Sequence, residues 1–454
     1  VVAIGYGTVK KSDLTGAVST VDSRSLENTP VARVDQALQG RAAGVQITQA
    51  SGAPGAGTII RVRGGNSIEG NNEPLWVIDG IIVGTDFNLN NLNTNDIKAI
   101  EVLKDASSIA IYGSRGANGV VLITTHKGFD SKPKVTFSAR LGFAKAAKLP
   151  EVLGSDDYVD LVNTAYMNEY LSLPGADPDV DLDTIYDEVR EVNEQYLLGY
   201  ETDWYDEITR DAPALSQDYN LAIRGGTEDA RYAASFGYYD EEGILLGPSN
   251  YRRYAFRVNT DFKLGKIFRI GENFSVTQSQ TNSNEESKFE YGMMGDWTRG
   301  VDWALRAAPI YPVYLVDQAT GDYILDGAGE KQYDDGGLHS RPINQGRHAI
   351  AELNWNSDDY KRNNFGNRTF ATFTILDGLT ATFNASIDVQ NYQYKGFENP
   401  KIGDGAPTAR MDESRYTRTA VNLNQLINYE KTFNEVHNFS ALLGHESYKR
   451  DYTY

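Results

Sequence analysis

The sequence predicts two unlike domains in series: a small α+β domain, then a transmembrane antiparallel β-barrel of which about ten strands are present. Three observations carry this. Short apolar runs at Ile59–Val62, Leu75–Ile78, Ile100–Leu103 and Val120–Thr125 alternate with Gly/Asn-rich turns, as in a compact mixed sheet. Beyond residue 128, longer segments alternate apolar and polar residues with period two, as strands do when their faces meet different media. No stretch of about 18 apolar residues exists, which excludes a helical membrane protein. An alternating barrel keeps hydropathy low, and the mean here is −0.46. About ten strands in one soluble sheet would rarely lie open without curling.

Composition narrows the function classes. The 454 residues carry a net charge of −19, which argues against nucleic acid, since phosphate contacts need clustered Lys and Arg. There are no cysteines, so disulfide, thiolate and Cys-metal chemistry are excluded for this chain. Five scattered histidines show no metal-ligand spacing, and neither a metal nor a cofactor is expected. Tyrosine is heavily used, with 28 residues, which fits barrel girdles, sugar-stacking surfaces or simply β-rich structure. No signal peptide is visible at Val1, which implies its removal or a start further in.

The elements follow in order. Val1–Ile4 is a β-prone run at the terminus. Val34–Gly44 reads as a short helix with a glycine stop. Asn95–Leu103 and Asp105–Ile111 are short pieces joined by Lys104, and Gly113, Gly116 and Gly119 mark tight turns. Residues 129–133 form a linker. The first long strand then places Val135, Phe137, Ala139, Leu141 and Phe143 on one face.

An insertion near residues 150–215 interrupts the strands, with helical spacing at Tyr158–Leu171 and Leu182–Leu198. Strands resume at Tyr219–Arg224, Arg231–Tyr239, Tyr254–Leu264 and Ile267–Gln280. A second insertion near residues 281–364 is polar and carries a hairpin signal around Thr320-Gly321. Arg368–Leu376 and Leu379–Val389 flank Asp377-Gly378, a strong hairpin turn. Residues 419–430 and 438–448 repeat the alternation. Short turns on one side and long loops on the other describe an outer-membrane barrel.

Several blocks carry a family likeness. LQGRAAGVQIT, IRVRGGNSI, PLWVIDG and IEVLKDASSIAIYGSRGANGVVLITTHKG resemble the plug of a TonB-dependent outer-membrane transporter. The opening VVAIGYGTVKKSDLTGAVSTV resembles the SusC/RagA subfamily of Bacteroidota. The likeness continues through ETDWYDEITR, LAIRGGTEDARYAASFGYYDEEGIL and YRRYAFRVNTDF. It implies a plug at residues 1–128 and the N-terminal part of the barrel at 129–454, with extracellular loops near 150–215 and 281–364. Such barrels have about 22 strands. About ten cannot close one, so the chain is expected to be the first part of a longer protein.

The resemblance also implies site residues. Val1, Val2, Ala3, Ile4 and Gly5 fall where a TonB box is expected, a segment that adds a strand to a periplasmic partner; the alternative is a first strand of the plug. Arg63 and Lys104 match plug cations that pair with barrel glutamates, against a reading as solvated charge. The substrate-facing plug loops would include Asn66, Ser67, Asn71, Asn72, Asp86, Phe87 and Asn88, although these types also serve turns. Trp297, Trp303 and Tyr311 offer an aromatic ligand surface, or pack their own loop. Asp177, Asp179, Asp181 and Asp183 lack the glycine and glutamate of a calcium loop.

The expected function is TonB-dependent import of a large nutrient, oligosaccharide first and oligopeptide second, with no bond chemistry and thus no enzyme activity. The implied partners are a SusD-like lipoprotein lid, TonB energised by ExbB/ExbD, the lipid bilayer of the outer membrane and, as a possible assembly, a dimer of transporter–lid pairs. The alternatives are a soluble extracellular glycan-binding protein or hydrolase, and an outer-membrane receptor without transport.

Overall fold

The computed structural model describes residues 2–4, 7–9, 18–22, 34, 38–49, 52–68, 72–85, 89–105, 109–147, 149–283, 300–337, 341, 345–433 and 436–454. Its first part holds nine short strands. β1 (Val2–Ile4) and β2 (Gly7–Val9) form a hairpin, and β4 (Val45–Gln49) pairs with β5 (Thr58–Val62). A five-stranded sheet has the order β3 (Val18–Asp22), β8 (Ile97–Leu103), β9 (Val120–Thr125), β6 (Leu75–Ile78), β7 (Ile81–Gly84). β6 and β9 run parallel and the other pairs antiparallel. The strands are nearly continuous apolar runs because both faces are covered: Trp76, Ile78, Ile100, Val102, Val121 and Ile123 pack on one side, and Leu75, Val77, Leu103, Val120 and Leu122 on the other.

The second part is a nine-stranded antiparallel sheet in chain order: β10 (Ser131–Ala144), β11 (Ala214–Gly226), β12 (Ala230–Glu242), β13 (Asn250–Leu264), β14 (Phe268–Asn282), β15 (Ser357–Leu376), β16 (Leu379–Glu398), β17 (Arg410–Phe433) and β18 (His437–Thr453). β10 and β18 are its margins and are not paired with each other. The strands outrun the expected segments, most of all at β15 and β17, because polar stretches such as Ser357–Asn367 and Arg410–Arg418 hold the ladder as well as apolar ones do.

The connections alternate in length. Short connections, 227–229, 265–267, 377–378 and 434–436, separate the strands at one end, and mostly longer ones, 145–213, 243–249, 283–356 and 399–409, at the other. Register fixes two media. Phe137, Leu221, Phe236, Phe256, Val276, Phe365 and Val389 line up across seven strands on the outer face. On β10 alone Phe137 is 67% and Val135 62% exposed, as lipid contact requires. The opposite face carries Thr136, Ala222, Ser235, Arg257, Ser275, Gly366, Asp388 and Ala420, small and polar, turned toward the small domain.

The two long insertions fold together. Helices α1 (Ser155–Leu171), α2 (Asp187–Tyr196) and α3 (Trp204–Ile208) come from the first, α4 (Gly300–Arg306) and α5 (Ala349–Trp355) from the second. Val192, Trp204, Ile208, Trp303, Ile310 and Leu353 share one core. Trp204 Nε1 donates to the Ala308 carbonyl at 3.0 Å, and Thr202 Oγ1 to that of Tyr311 at 2.7 Å. Arg341 and Asp334 form a buried ion pair at 3.1 Å beneath this core.

Candidate functional site: the plug–wall interface

The inner wall grips the small domain at one hairpin. β6 and β7 are joined by Asp79-Gly80, with φ of 49° and 82° at the two turn residues. Two positive φ values in succession define the hairpin turn that suits the strand twist, and Asp-Gly is a sequence that adopts it. The Asp79 carboxylate is buried. It accepts from Thr125 N at 2.9 Å and Thr125 Oγ1 at 2.6 Å, and lies 3.5 Å from Arg257 of β13. Arg257 Nε is 3.7 Å from Asp96. Burial pushes the Asp96 carboxyl upward, and Arg257 and a Ser235 hydrogen bond oppose that shift. Arg368 of β15 donates to the Asp79 carbonyl. A Cβ on Gly80 would sit 3.0 Å from Arg368 Nη1, so glycine also admits this close approach.

The contact continues along β13 every second residue. Tyr251 Oη donates to the Asn90 carbonyl at 2.8 Å; Arg253 donates to the carbonyls of Asn90 at 3.0 Å and Leu92 at 2.6 Å. Asn259 Nδ2 donates to Thr125 Oγ1 at 2.9 Å and to the His126 carbonyl at 2.8 Å. Burial, with Arg224 and Lys98 adding to it, lowers the His126 imidazole to about 4. At the margins, Arg140 of β10 donates to Asn95, and Arg115 pairs with Glu446 of β18 at 3.1 Å. A small cavity of about 50 Å³ remains between domain and wall, lined by Asp79, Asn91, Arg257, Asn273, Thr277 and Asn364. The interface is thus polar and unevenly filled, a surface that can part without exposing an apolar core.

Two groups of expected site residues make contacts within their own domains. Arg63 pairs with Asp105 at 2.6 Å and donates to the Lys104 carbonyl; Lys104 donates to Ser19 Oγ at 2.5 Å and to the Ala43 carbonyl. Both cations tie segments of the small domain together, and neither touches a described barrel carboxylate. The partner of Arg63 is the carboxylate next in sequence to Lys104. Trp303 and Tyr311 are 1% and 3% exposed, packed in the core of the inserted loops rather than presented to a ligand. Large aromatic area is what a small loop domain needs to hold together.

Asn72 Oδ1 accepts from the backbone of Asn66 and Ser67, and Asn66 Nδ2 donates to Ala117 and Asn118, so these three residues close their own loop. Asp177 and Asp181 each cap a backbone N–H two residues on. Val2, Ala3 and Ile4 are paired with Val9, Thr8 and Gly7. Val1, Gly5, Asn71, Asp86, Phe87, Asn88 and Trp297 lie outside the described residues, as do residues 35–37 of the expected 34–44 helix; residues 39–44 are turns and a bend rather than helix. Sequence reading missed the wall residues Tyr251, Arg253, Arg257 and Arg368. The first three stood at alternate positions of YRRYAFRVN, a polar parity among apolar residues.

A small mixed sheet lodged against the polar face of a barrel wall defines a plug-and-barrel protein. Residues 10–120 match the family described as TonB-dependent Receptor Plug Domain. A TonB-dependent receptor of Formosa agariphila is 38% identical over 98% of this chain and 41% of its own length. The TonB-dependent receptor SusC of Bacteroides thetaiotaomicron is 35% identical over 71% of this chain and 30% of its own length. Among solved structures, the RagAB peptide importer in its open-open state superposes with a TM-score of 0.76 at 26% identity, covering all of this chain and 49% of that one. The chain belongs to the SusC/RagA-type TonB-dependent transporters. It spans less than half the length of these relatives, which carry the names of receptors and transporters rather than enzymes. Among the described residues no helix is long and apolar enough to cross a membrane, which says nothing of strands.

Proposed function

We propose that the chain is the plug, residues 1–128, and the first part of the barrel of an outer-membrane importer that moves a large nutrient inward when TonB pulls on the plug, with no bond chemistry. The observation that carries this is the polar grip of Arg257 and Arg368 on the Asp79-Gly80 turn. It holds the plug through charge and carbonyl contacts that water replaces when the plug moves. Val1–Gly5 would be the segment TonB captures: the three-residue strands of β1 and β2 make a hairpin too short to be stable alone, so an exchange of strand partners costs little. The folded loop insertions would support a SusD-like lid, and two transporter–lid pairs would associate. The nutrient is an oligosaccharide. The structural likeness to a peptide importer favours an oligopeptide as the second reading.

The test uses the full-length protein in outer membranes with its native lipoproteins. Uptake of labelled oligosaccharides and of peptides is measured with and without residues 1–9. Uptake of one class that stops on deletion, while surface binding persists, supports TonB-driven import. Uptake that continues unchanged overturns it. Binding with no uptake in the intact protein would instead make it a receptor.

A further inference from the structure

We infer that the inner face of β15–β17 carries an aromatic–arginine platform for an oligosaccharide, formed by Tyr360, Arg362, Tyr392, Tyr394 and Tyr416. The inference rests on the import reading above and names the ligand class of that same lumen.

Register puts these residues on the wall face that grips the plug. The ladder running Arg140, Asp218, Tyr239, Arg253, Ser279 continues without a break through Arg362, Tyr392 and Tyr416. Its Arg253 binds plug carbonyls; three strands further on, the same row carries rings. Tyr392 and Tyr416 are stacked, 4.7 Å between centroids at 22°. Tyr360 lies 5.0 Å from Tyr394 and 6.3 Å from Tyr392. The Arg362 guanidinium sits 5.3 Å from the Tyr392 centroid and 5.8 Å from that of Tyr360. Tyr394 Oη donates to Asp358 at 2.6 Å, which fixes its ring. The rings stand near the ends of β15, β16 and β17 that join the long loops, the side from which a nutrient enters. All four tyrosines keep part of their surface open except Tyr360, which is buried.

Chemistry chooses the occupant. Sugar rings present C–H faces that lie on aromatic rings, and an equatorial fringe of hydroxyls that takes planar amides, carboxylates and guanidinium groups. The platform supplies both: its neighbours on the same face are Asn364, Gln390, Asp388 and Arg418. At the even-numbered positions of 358–368, 384–398 and 410–424 there is no aliphatic side chain larger than alanine. This stretch therefore builds no aliphatic pocket of the kind that takes apolar peptide side chains. Cation–π contact with Arg362 also holds the rings in place before a ligand arrives.

The test is calorimetric titration of the detergent-purified full-length transporter with neutral and uronate-containing hexasaccharides, and with a tryptic peptide mixture. The expected result is that at least one hexasaccharide binds, that Tyr392→Ala with Tyr416→Ala weakens it at least tenfold, and that the paired Phe substitutions leave it within threefold. Tyr416→Leu, which keeps apolar bulk but no ring, also weakens binding about tenfold and covers a double variant that fails to fold. Unchanged affinity in the Ala and Leu variants overturns the platform, as does a wild-type protein that binds peptides and no hexasaccharide. Neither of those outcomes touches TonB-driven import, which fails separately if uptake survives deletion of residues 1–9.

Discussion

Replacing Arg257 by Met should loosen the plug from the wall. Arg257 is the cation shared by Asp79 and Asp96, whose side chains are 1% and 9% exposed. Breaking a buried pair by removing one partner costs about 3–5 kcal/mol, because a charge is left without compensation. The separations of 3.5 and 3.7 Å are long for charge-assisted hydrogen bonds, and Asp79 keeps both Thr125 bonds. The lower end, about 3 kcal/mol, is therefore expected, which is about a hundredfold in the open–closed equilibrium. The chain has no cysteine, so a single Ser275→Cys on the wall beside the gap reports opening through its thiol-labelling rate. Labelling should rise about a hundredfold with Arg257→Met, and adding Asp79→Asn should recover part of it, since one buried charge is then gone. Equal labelling in all three proteins would refute the claim that this cation holds the plug.

Other perturbations follow from the same geometry. Gly80→Ala places a side chain at positive φ against Arg368, and should lower plug protection by about 1 kcal/mol or more; hydrogen exchange of β6 and β7 checks it. Trp303→Ala empties the centre of the inserted-loop core and should cost that core about 3–5 kcal/mol. Proteolysis of residues 145–213 should accelerate while the barrel stays intact. Burial and the Arg341 charge hold the His348 imidazole down at about 3, against 6.5 when unfolded, with Asp334 opposing. Above pH 6.5 both states are neutral and stability is full. As pH falls below 6.5 the unfolded loops gain a proton that the folded ones refuse, so stability drops by about 2 kcal/mol at pH 5. Once the fall of the intrinsic exchange rate with pH is divided out, protection of the Ala349–Leu353 amides should drop about thirtyfold from pH 7 to 5, and protection that is flat over that window would show His348 to be accessible.

The alternation of β10–β18 and the asymmetry of their connections were legible because lipid and water impose period two along the whole strand. Strand ends were not, because lumen-facing polar residues such as Arg362 and Asn364 look like loop in one dimension and pair like any others in register. The contacts of Arg63 and Lys104 were not legible because charge marks a partner without naming it: sequence shows a cation, and only folding shows that Asp105 and the Ala43 carbonyl lie beside it. The grip itself was hidden in a motif read for its family wording. PLWVIDG contains the hairpin turn, but its arginines arrive from β13 and β15, some 180 and 290 positions later.

Sheet order also sets how the plug should yield. A pull on the N-terminus first meets β1–β2, three residue pairs with no described partner sheet. It then meets β3, the edge strand held to β8 by five pairs. The anchored β6–β7 hairpin is at the opposite edge, and β8 and β9 lie between them in the apolar core. Force therefore peels β3 before it loads Asp79 and Arg257. Single-molecule pulling from the N-terminus should show a first release of about 40 residues, from the terminus up to β4, at about 3.3–3.6 Å per residue, followed by a separate, stronger event. Arg257→Met should weaken the second event and leave the first unchanged. A single release of the whole plug, or a first event that shifts with Arg257, would mean that the wall contact and the edge strand act as one unit.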